Sequence, residues 1–310
     1  MSNTTQARKI GYAEADTPEW HAMRAGKMSG SRVAAALSLS PWTSRFTLFY
    51  QLRGEIPDDI EDNPLLEWGR RLEEPVIAKY EEMHPNVKVI RKPGIWQSKQ
   101  REWQIASPDA LLVMPGADRR RRGSLLEAKT GQYDTDWDDG PPVWYLCQVQ
   151  HYLDVMGYES AEIAVLFTGN DYREYTVWRN PEDQELLRKA SLQILQEVAD
   201  EVFPDIDGSA STYRTIRRRH PLIDGGGVDV PPELVAEIAQ VRAVVDRVAE
   251  DYGQLINTLA ELMSTAHKTF CNNRKVADRR AKTLESTPYV QMAPIGSIRK
   301  ALQWEQSAQQ

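Results

Sequence analysis

The chain has 310 residues, 41% hydrophobic and 27% charged, with a net charge of −7, an ordinary globular balance that excludes a generically basic nucleic-acid coat while leaving room for a local basic patch. Its length suits one large domain or two modest ones. Two distant cysteines, Cys147 and Cys271, are too few for a four-cysteine iron–sulfur or zinc site and read as reduced thiols of a cytosolic protein. No apolar run reaches membrane length and the polar start, Met1 to Lys9, does not read as a signal peptide, so a soluble protein is expected.

Residues 1–17 are polar and are expected to be disordered. Pro18-Glu-Trp20-His21 starts a short helix, with Pro18 suited to an early helical position and Trp20 and Arg24 on one face. Ser29-Gly-Ser31 precedes the alanine-rich run 32–37, a serine cap and a helix. A helix N-terminus with Arg24 nearby can grip a phosphate; the plainer alternative is a capped helix with a solvated arginine. A helix over 43–54 ends at Gly54, and an acidic loop covers 55–63.

The pattern Leu65, Trp68, Leu72, Val76, Tyr80 predicts a long helix with a buried stripe up to His84. Glu73 lies close to that stripe, either used there or at its solvent edge, and Pro75 predicts a kink or a new helix start near it. Strands follow at 87–90, 94–97, 103–106 continuing into 110–114, and 125–129. Between the last two lie four consecutive arginines, Arg119 to Arg122, a solvated loop or a track for a phosphate backbone. Residues 131–142 form an acidic Gly/Pro loop carrying Asp134, Asp136, Asp138 and Asp139. A helix over 143–155 places Tyr145, Gln148, Val149, Tyr152 and Val155 at helical spacing. Strands at 160–168 and 172–178 and a helix opened by Asn180-Pro181 and running to Phe203 complete this part.

Composition then shifts. Residues 204–230 carry Pro, Gly, Ser and a cluster of Arg214, Arg217, Arg218 and Arg219, and Gly225 to Gly227 read as a linker. From Pro231 to about Phe270 apolar residues recur at helical spacing, from Leu234 and Ile238 to Leu259. This predicts a coiled coil or a helical hairpin with a break near Gly253, and a short strand near Tyr289 to Met292 closes the chain.

The stretch that organises the rest is Ser124 to Thr130. On a strand Glu127 and Lys129, two apart, share a face beside Leu125 and Leu126. An acid and a lysine on a buried face cost free energy unless something uses them. If the run 110–114 pairs with it as an antiparallel hairpin, Asp109 comes alongside Glu127. Two carboxylates and a lysine suit a hard cation with a water-activating group beside it; a structural salt bridge is the competing account.

The ordered series Trp20-His21, Arg24, Ser29-Gly-Ser31, then Trp68-Gly-Arg-Arg-Leu-Glu73, Ser107-Pro-Asp109, Glu127-Ala128-Lys129 and Tyr145 to Tyr152 resembles the YqaJ-type viral recombinases. These are relatives of the phage lambda exonuclease within the PD-(D/E)XK nucleases, and the likeness covers roughly 18–180. It implies an α/β fold: a PD-(D/E)XK core with a mixed central sheet flanked by helices, here with a C-terminal helical extension. The implied domains are a nuclease at 18–204, a basic, Gly-rich linker at 205–230 and the extension at 231–310.

The resemblance also implies roles. Asp109, Glu127 and the backbone carbonyl of Ala128 would ligate Mg²⁺, for which Mn²⁺ would substitute, and Glu73 would bind or orient toward the same or a second metal. Lys129 would hold and help deprotonate the attacking water, Gln148 would position that lysine or the metal-bound water, and Arg24, Ser31, Ser107 and Tyr145 would contact DNA and its 5′-phosphate. The implied protein is a cytoplasmic exonuclease of a bacterial host cell that digests duplex DNA from 5′ ends to leave 3′ tails. Its partners would be DNA ends, a single-strand annealing protein and further copies of itself in a ring trimer, with no membrane. Alternatives are a RecB-like or endonucleolytic enzyme of the same superfamily, or an inactive DNA-binding recombination scaffold; the scarcity of cysteine argues against a cluster-bearing Cas4-like branch.

Overall fold

The computed structural model describes residues 6–14, 17–58, 64–113, 123–131, 137, 139–167, 169–283 and 285–307. Arg119 to Arg122, Asp134, Asp136 and Asp138 lie outside the described residues. The chain divides into two compact units, Met1–Leu222 and Ile223–Gln310.

In the first unit the expected hairpin forms. Strand β5 (Ala110–Val113) pairs antiparallel with β6 (Gly123–Gly131), Ala110 opposite Leu126, so Asp109 enters its strand beside the centre of β6. Beyond β5 lies β2 (Lys88–Arg91), antiparallel. On its other side β6 pairs in parallel with β7 (Ser160–Phe167), and β7 pairs antiparallel with β8 (Asp171–Trp178), which closes a five-stranded mixed sheet in the order β2-β5-β6-β7-β8. A parallel pair needs a crossover, here helix α5 (Val143–Met156), which ends where Gly157 takes a left-handed φ of 73°.

Each face of β6 has its own cover. Leu125 packs with Val149, Tyr152 and Leu153 of α5 on one face, and Leu126 packs with Val76, Ile77 and Tyr80 of α4 (Pro64–Met83) on the other. Both leucines are fully buried, as apolar neighbours on a strand covered on both sides must be. Because side chains alternate, Glu127 and Lys129 follow Leu125 onto the α5 face.

Helix α4 passes through Pro75 without breaking, against the expected new start there. Its buried stripe is shorter than the apolar spacing predicts: Val76, Ile77 and Tyr80 meet the sheet, while Leu65 and Trp68 stay exposed because the helix reaches past its cover. The remaining helices of this unit, α1 (Pro18–Arg24), α2 (Gly30–Ala36), α3 (Arg45–Leu52) and α6 (Pro181–Ala199), follow their start signals. Thr17, Ser44 and Asn180 cap by side chain, whereas Ser29 caps α2 by position and turns its hydroxyl to Ser31 Oγ at 3.2 Å.

Three segments differ from expectation. Residues 7–11, expected to be disordered, form β1 (Ala7–Gly11), which pairs with β3 (Ile95–Ser98) in a small sheet that β4 (Ile105–Ala106) completes. An edge strand takes its order from its partner's backbone, which polarity does not reveal. Inside the expected linker, α7 (Ala210–Arg219) docks on α3 through hydroxyls: Thr47 Oγ1 meets Ser211 Oγ at 2.7 Å and Thr215 Oγ1 at 2.9 Å. Such a hydroxyl seam carries no apolar periodicity.

In the second unit, expected to be helical, α8 (Pro232–Met263) runs straight through Gly253 and is followed by a three-stranded antiparallel sheet. Its strands are β9 (Lys268–Cys271), β10 (Arg274–Arg280) and β11 (Tyr289–Met292), the last at the expected position, and α9 (Ile295–Ser307) ends the unit. Among the described residues no helix is long and apolar enough to cross a membrane.

One buried group ties this core to pH. His151 on α5 is enclosed, with Nε2 donating to the carbonyl of Ile105 at 2.9 Å, and burial pushes its pKa down to about 4. The unfolded chain takes up a proton near the ordinary value of about 6.5, whereas the folded chain resists until about 4. Stability from this group is therefore complete above about pH 6.5 and falls by about 3 kcal/mol as pH drops toward 4. Urea midpoints at pH 7.5 and 4.5 should fall less for His151→Gln, which keeps a donor for Ile105, than for the wild type.

Candidate active site

The site lies where β5, β6 and α5 converge. Asp109 sits just ahead of β5, and its Oδ2 accepts the backbone N–H of Ala128 at 2.8 Å. That bond crosses from one strand of the hairpin to the next and fixes the Asp109 carboxyl beside Glu127. Glu127 is buried. Its Oε1 accepts from Lys129 Nζ at 2.6 Å and from Gln148 Nε2 at 2.5 Å. Its Oε2 is buried with no hydrogen-bond partner among the described residues. Gln148 reaches β6 because it lies one turn before Tyr152 on α5, and its amide also donates to the Tyr152 hydroxyl at 3.2 Å. That hydroxyl in turn donates to the carbonyl of Ser107 at 3.3 Å. The ring of Tyr145 lies 4.9 Å from Lys129 Nζ, a cation–π contact.

The charges of this group are mutually strained. Burial first, and Glu127 second, hold the Asp109 carboxyl well above the ordinary aspartate range. The same two causes raise Glu73, which α4 brings within electrostatic reach of Glu127 and Lys129. Burial pulls Lys129 down, but Glu127 and then Asp109 more than offset it, so its ammonium is held above the ordinary lysine value. Asp109, Glu127 and Glu73 thus lie within electrostatic reach of one another and of Lys129, with Lys92 also acting on Glu73, a concentration of negative charge that suits a divalent cation.

Asp109, Glu127 and the Ala128 carbonyl suit a hard cation. The donors are all oxygen, the Glu127 oxygen without a partner among the described residues is buried, and few protein ligands are needed when water completes the shell. Among the described residues no group of three or more His, Cys, Asp or Glu side chains stands ready to hold a metal ion.

Arg24 and Ser31, expected to grip an anion, are brought together at the start of α2. Arg24 is buried, its guanidinium lies 3.9 Å over the Trp20 ring, and its Nη2 donates to Ser31 Oγ at 3.0 Å. Gly30 lets α2 approach α5: a Cβ there would stand 2.4 Å from the Tyr152 ring and 3.0 Å from Gln148 Cγ. The start of α2 therefore abuts the residue that holds Glu127. Sequence reasoning missed two members of this cluster. Asp58 takes Arg32 at 2.6 Å and lies 3.8 Å from Arg24 Nε, so the arginine is not the solvated one of the plainer reading. Tyr152 links Gln148 to Ser107. Asp58 lies inside the acidic loop 55–63 with no periodicity to mark it, whereas Tyr152 could have been found four residues after Gln148 on one helix face.

A mixed sheet whose central antiparallel hairpin presents Asp109, Glu127 and Lys129 is the arrangement that the resemblance to the PD-(D/E)XK nucleases implies. More narrowly, residues 19–159 match the YqaJ-like viral recombinase domain, and the resemblance read from the motifs holds. The uncharacterized protein YqaJ of Bacillus subtilis (strain 168) is 27% identical over 271 residues, which span 84% of this chain and 82% of that protein. Among solved structures, an alkaline exonuclease from Laribacter hongkongensis is 21% identical with a TM-score of 0.50, covering 67% of this chain and 100% of that one. The same exonuclease in complex with dAMP gives a TM-score of 0.51 at 21% identity, over 66% of this chain and 98% of that one. At these identities the two structures support the fold.

Proposed function

We propose that this chain is a Mg²⁺-dependent deoxyribonuclease that digests linear duplex DNA from 5′ ends and leaves 3′ single strands. The observation that carries the reading is the divided Glu127 carboxylate: one oxygen is held by Lys129 and Gln148, the other is buried with no hydrogen-bond partner among the described residues. Asp109, Glu127 and the Ala128 carbonyl would hold Mg²⁺ or Mn²⁺, which when bound supplies Lewis-acid polarisation of the phosphate and a more acidic water. Glu73 adds negative charge at the same place. Lys129 holds and readies the attacking water, Gln148 keeps Glu127 in orientation, and Tyr145 lines the approach to Lys129. Arg24 and Ser31 receive the 5′-phosphate, with Ser107 placed through Tyr152 at the same wall. The names of the Laribacter protein and of the YqaJ-like viral recombinase domain support an exonuclease in recombination. In this reading the enzyme works in the cytoplasm, its catalytic domain is 18–204 extended by β1 and α7, and its product passes to a single-strand annealing protein.

The test is end-labelled linear duplex, with and without a 5′-phosphate, beside closed circles, all with Mg²⁺. Linear DNA should be lost and circles should survive; equal loss of both, or no Mg²⁺-dependent loss of either, would reject the reading. Ser31→Ala removes one hydroxyl and Arg24→Lys removes the guanidinium fork. Each should cut the preference for 5′-phosphorylated ends by about 10- to 100-fold, the value of a charge-assisted hydrogen bond.

A further inference from the structure

We infer that the open face of the β9–β11 sheet binds single-stranded DNA, the strand that the proposed nuclease would leave behind. Between His267 and Lys282 the sequence carries Lys268, Arg274, Lys275, Arg279, Arg280 and Lys282 against one acid, Asp278, in a chain whose net charge is −7. A basic patch of this density on an acidic protein is the electrostatic footprint of a polyanion.

The strand register sorts the side chains onto faces. Asp278 of β10 stands opposite Lys268 of β9 and Gln291 of β11, and Arg280 stands opposite Tyr289. A register shift between Lys275 and Ala277 places Lys275 opposite Phe270 and returns it to the face of Asp278, which it reaches at 2.9 Å. The reverse face is the covered one. Ala277, Met263 and Ala301 are buried, and Thr269, opposite Ala277, has its hydroxyl 3.9 Å from Met263 Sδ. On the first face Phe270 is 61% exposed and Tyr289 45% exposed.

That face repeats one device at two corners. Each ring has a cation opposite it on the middle strand, Lys275 for Phe270 and Arg280 for Tyr289. Asp278 lies between and holds both, with Lys275 Nζ at 2.9 Å and Arg280 Nη2 at 3.2 Å from its Oδ2. Lysine has three N–H groups and arginine five, so both keep donors for phosphate. The rings stand about 10 Å apart across the sheet and about 13 Å apart along it. A nucleic-acid strand crossing obliquely can stack a base on each ring and lay its backbone over the cations between them. Aromatic rings accept the face of any base, and a basic surface tracks the backbone without reading sequence. A duplex keeps its base faces stacked inside, so it can use the cations but not the rings, and this selects a single strand. The choice of DNA over RNA rests on the proposed function, whose product is a 3′ single strand.

The test is fluorescence anisotropy of a short oligothymidylate without a 5′-phosphate, bound to the full chain in chelator. Phe270→Ala combined with Tyr289→Ala should weaken binding by about 10- to 100-fold. Far-UV circular dichroism should stay unchanged, because both rings are exposed, and affinity for a duplex of the same length should change little. Lys275→Gln combined with Arg280→Gln should flatten the slope of log affinity against log salt by about 1.4, the value of two single-strand phosphate contacts. An oligonucleotide carrying 5-iododeoxyuridine should photocross-link to Phe270 or Tyr289, located by mass spectrometry. Unchanged single-strand affinity in the ring variant, an equal loss of duplex affinity, an unchanged salt slope, cross-links confined to the first unit, or tighter binding of an RNA of the same length would each overturn the inference. Chelator keeps cleavage out of these readouts. If the nuclease reading fails, linear DNA survives Mg²⁺ while the ring variant still loses single-strand affinity; if this inference fails, the ring variant binds and cleaves as the wild type does.

Discussion

Lys129→Ala is expected to lower the rate of DNA cleavage by about 10³-fold or more while duplex affinity changes little. Lys129 touches Glu127 and is fixed from two sides: Nζ donates to Glu127 Oε1 at 2.6 Å and lies 4.9 Å from the Tyr145 ring. In the proposed role, a methyl group in its place would leave the attacking water without its holder and the phosphate without a nearby positive charge. Duplex binding draws on the wider surface and survives. The substitution also leaves a buried glutamate without its ion-pair partner, a loss that commonly costs several kcal/mol, so inactivity alone could reflect unfolding. Lys129→Gln keeps a donor for Glu127 Oε1 and separates the two causes. It should unfold at a midpoint clearly above that of the alanine variant and remain as inactive. Cleavage is followed on end-labelled linear duplex and binding by anisotropy of a fluorescent duplex in chelator; full activity in either variant would reject the assigned role.

The parts legible in the sequence were those with short-range physical causes. The alternation around Leu125, Glu127 and Lys129, the hairpin that brings Asp109 to β6, and the cap at Asn180-Pro181 all depend on neighbours in the chain. The helical spacing of Gln148 and Tyr152 was visible too, and a closer reading would have recognised Tyr152 as a link between Gln148 and Ser107. What escaped was set by distant backbone or polar partners. Strand β1 is ordered by pairing with β3, some ninety positions on, with Ala7 opposite Ser98. Helix α7 is held by serines and threonines that match hydroxyls on α3, where no apolar stripe points the way. Asp58 joins Arg24 and Arg32 only after the chain has folded back. The stripe of α4 was overread for a complementary reason: Leu65 and Trp68 have the right spacing, but spacing cannot say where the sheet beneath them ends.

Asp109→Asn should make the protein more stable without metal, unresponsive to Mg²⁺, and inactive. Burial and Glu127 both raise the Asp109 carboxyl, so its charged form is held at a cost in the folded chain. A group raised on folding contributes stability below its unfolded pKa and loses it as pH rises; near pH 7 the Asp109 carboxylate is therefore a liability. Asparagine can still accept the Ala128 N–H and carries no charge, which should add about 1 kcal/mol or more at pH 7. For the wild type, Mg²⁺ at about one hundred times its dissociation constant should stabilise by about 2.7 kcal/mol, roughly 5–10 °C in the transition of a unit of this size. The variant lacks one of the two carboxylates and should show no such shift, with cleavage reduced by about 10²- to 10³-fold. The two unfolding curves, each recorded in chelator and in Mg²⁺, test this apart from any assay of DNA. A variant less stable than the wild type in chelator would mean that Asp109 serves the fold, and an unchanged Mg²⁺ shift would place the ion elsewhere. The opposite signs matter more than either magnitude: a residue kept at a cost to the metal-free fold, and repaid when the cation arrives, is held for the site.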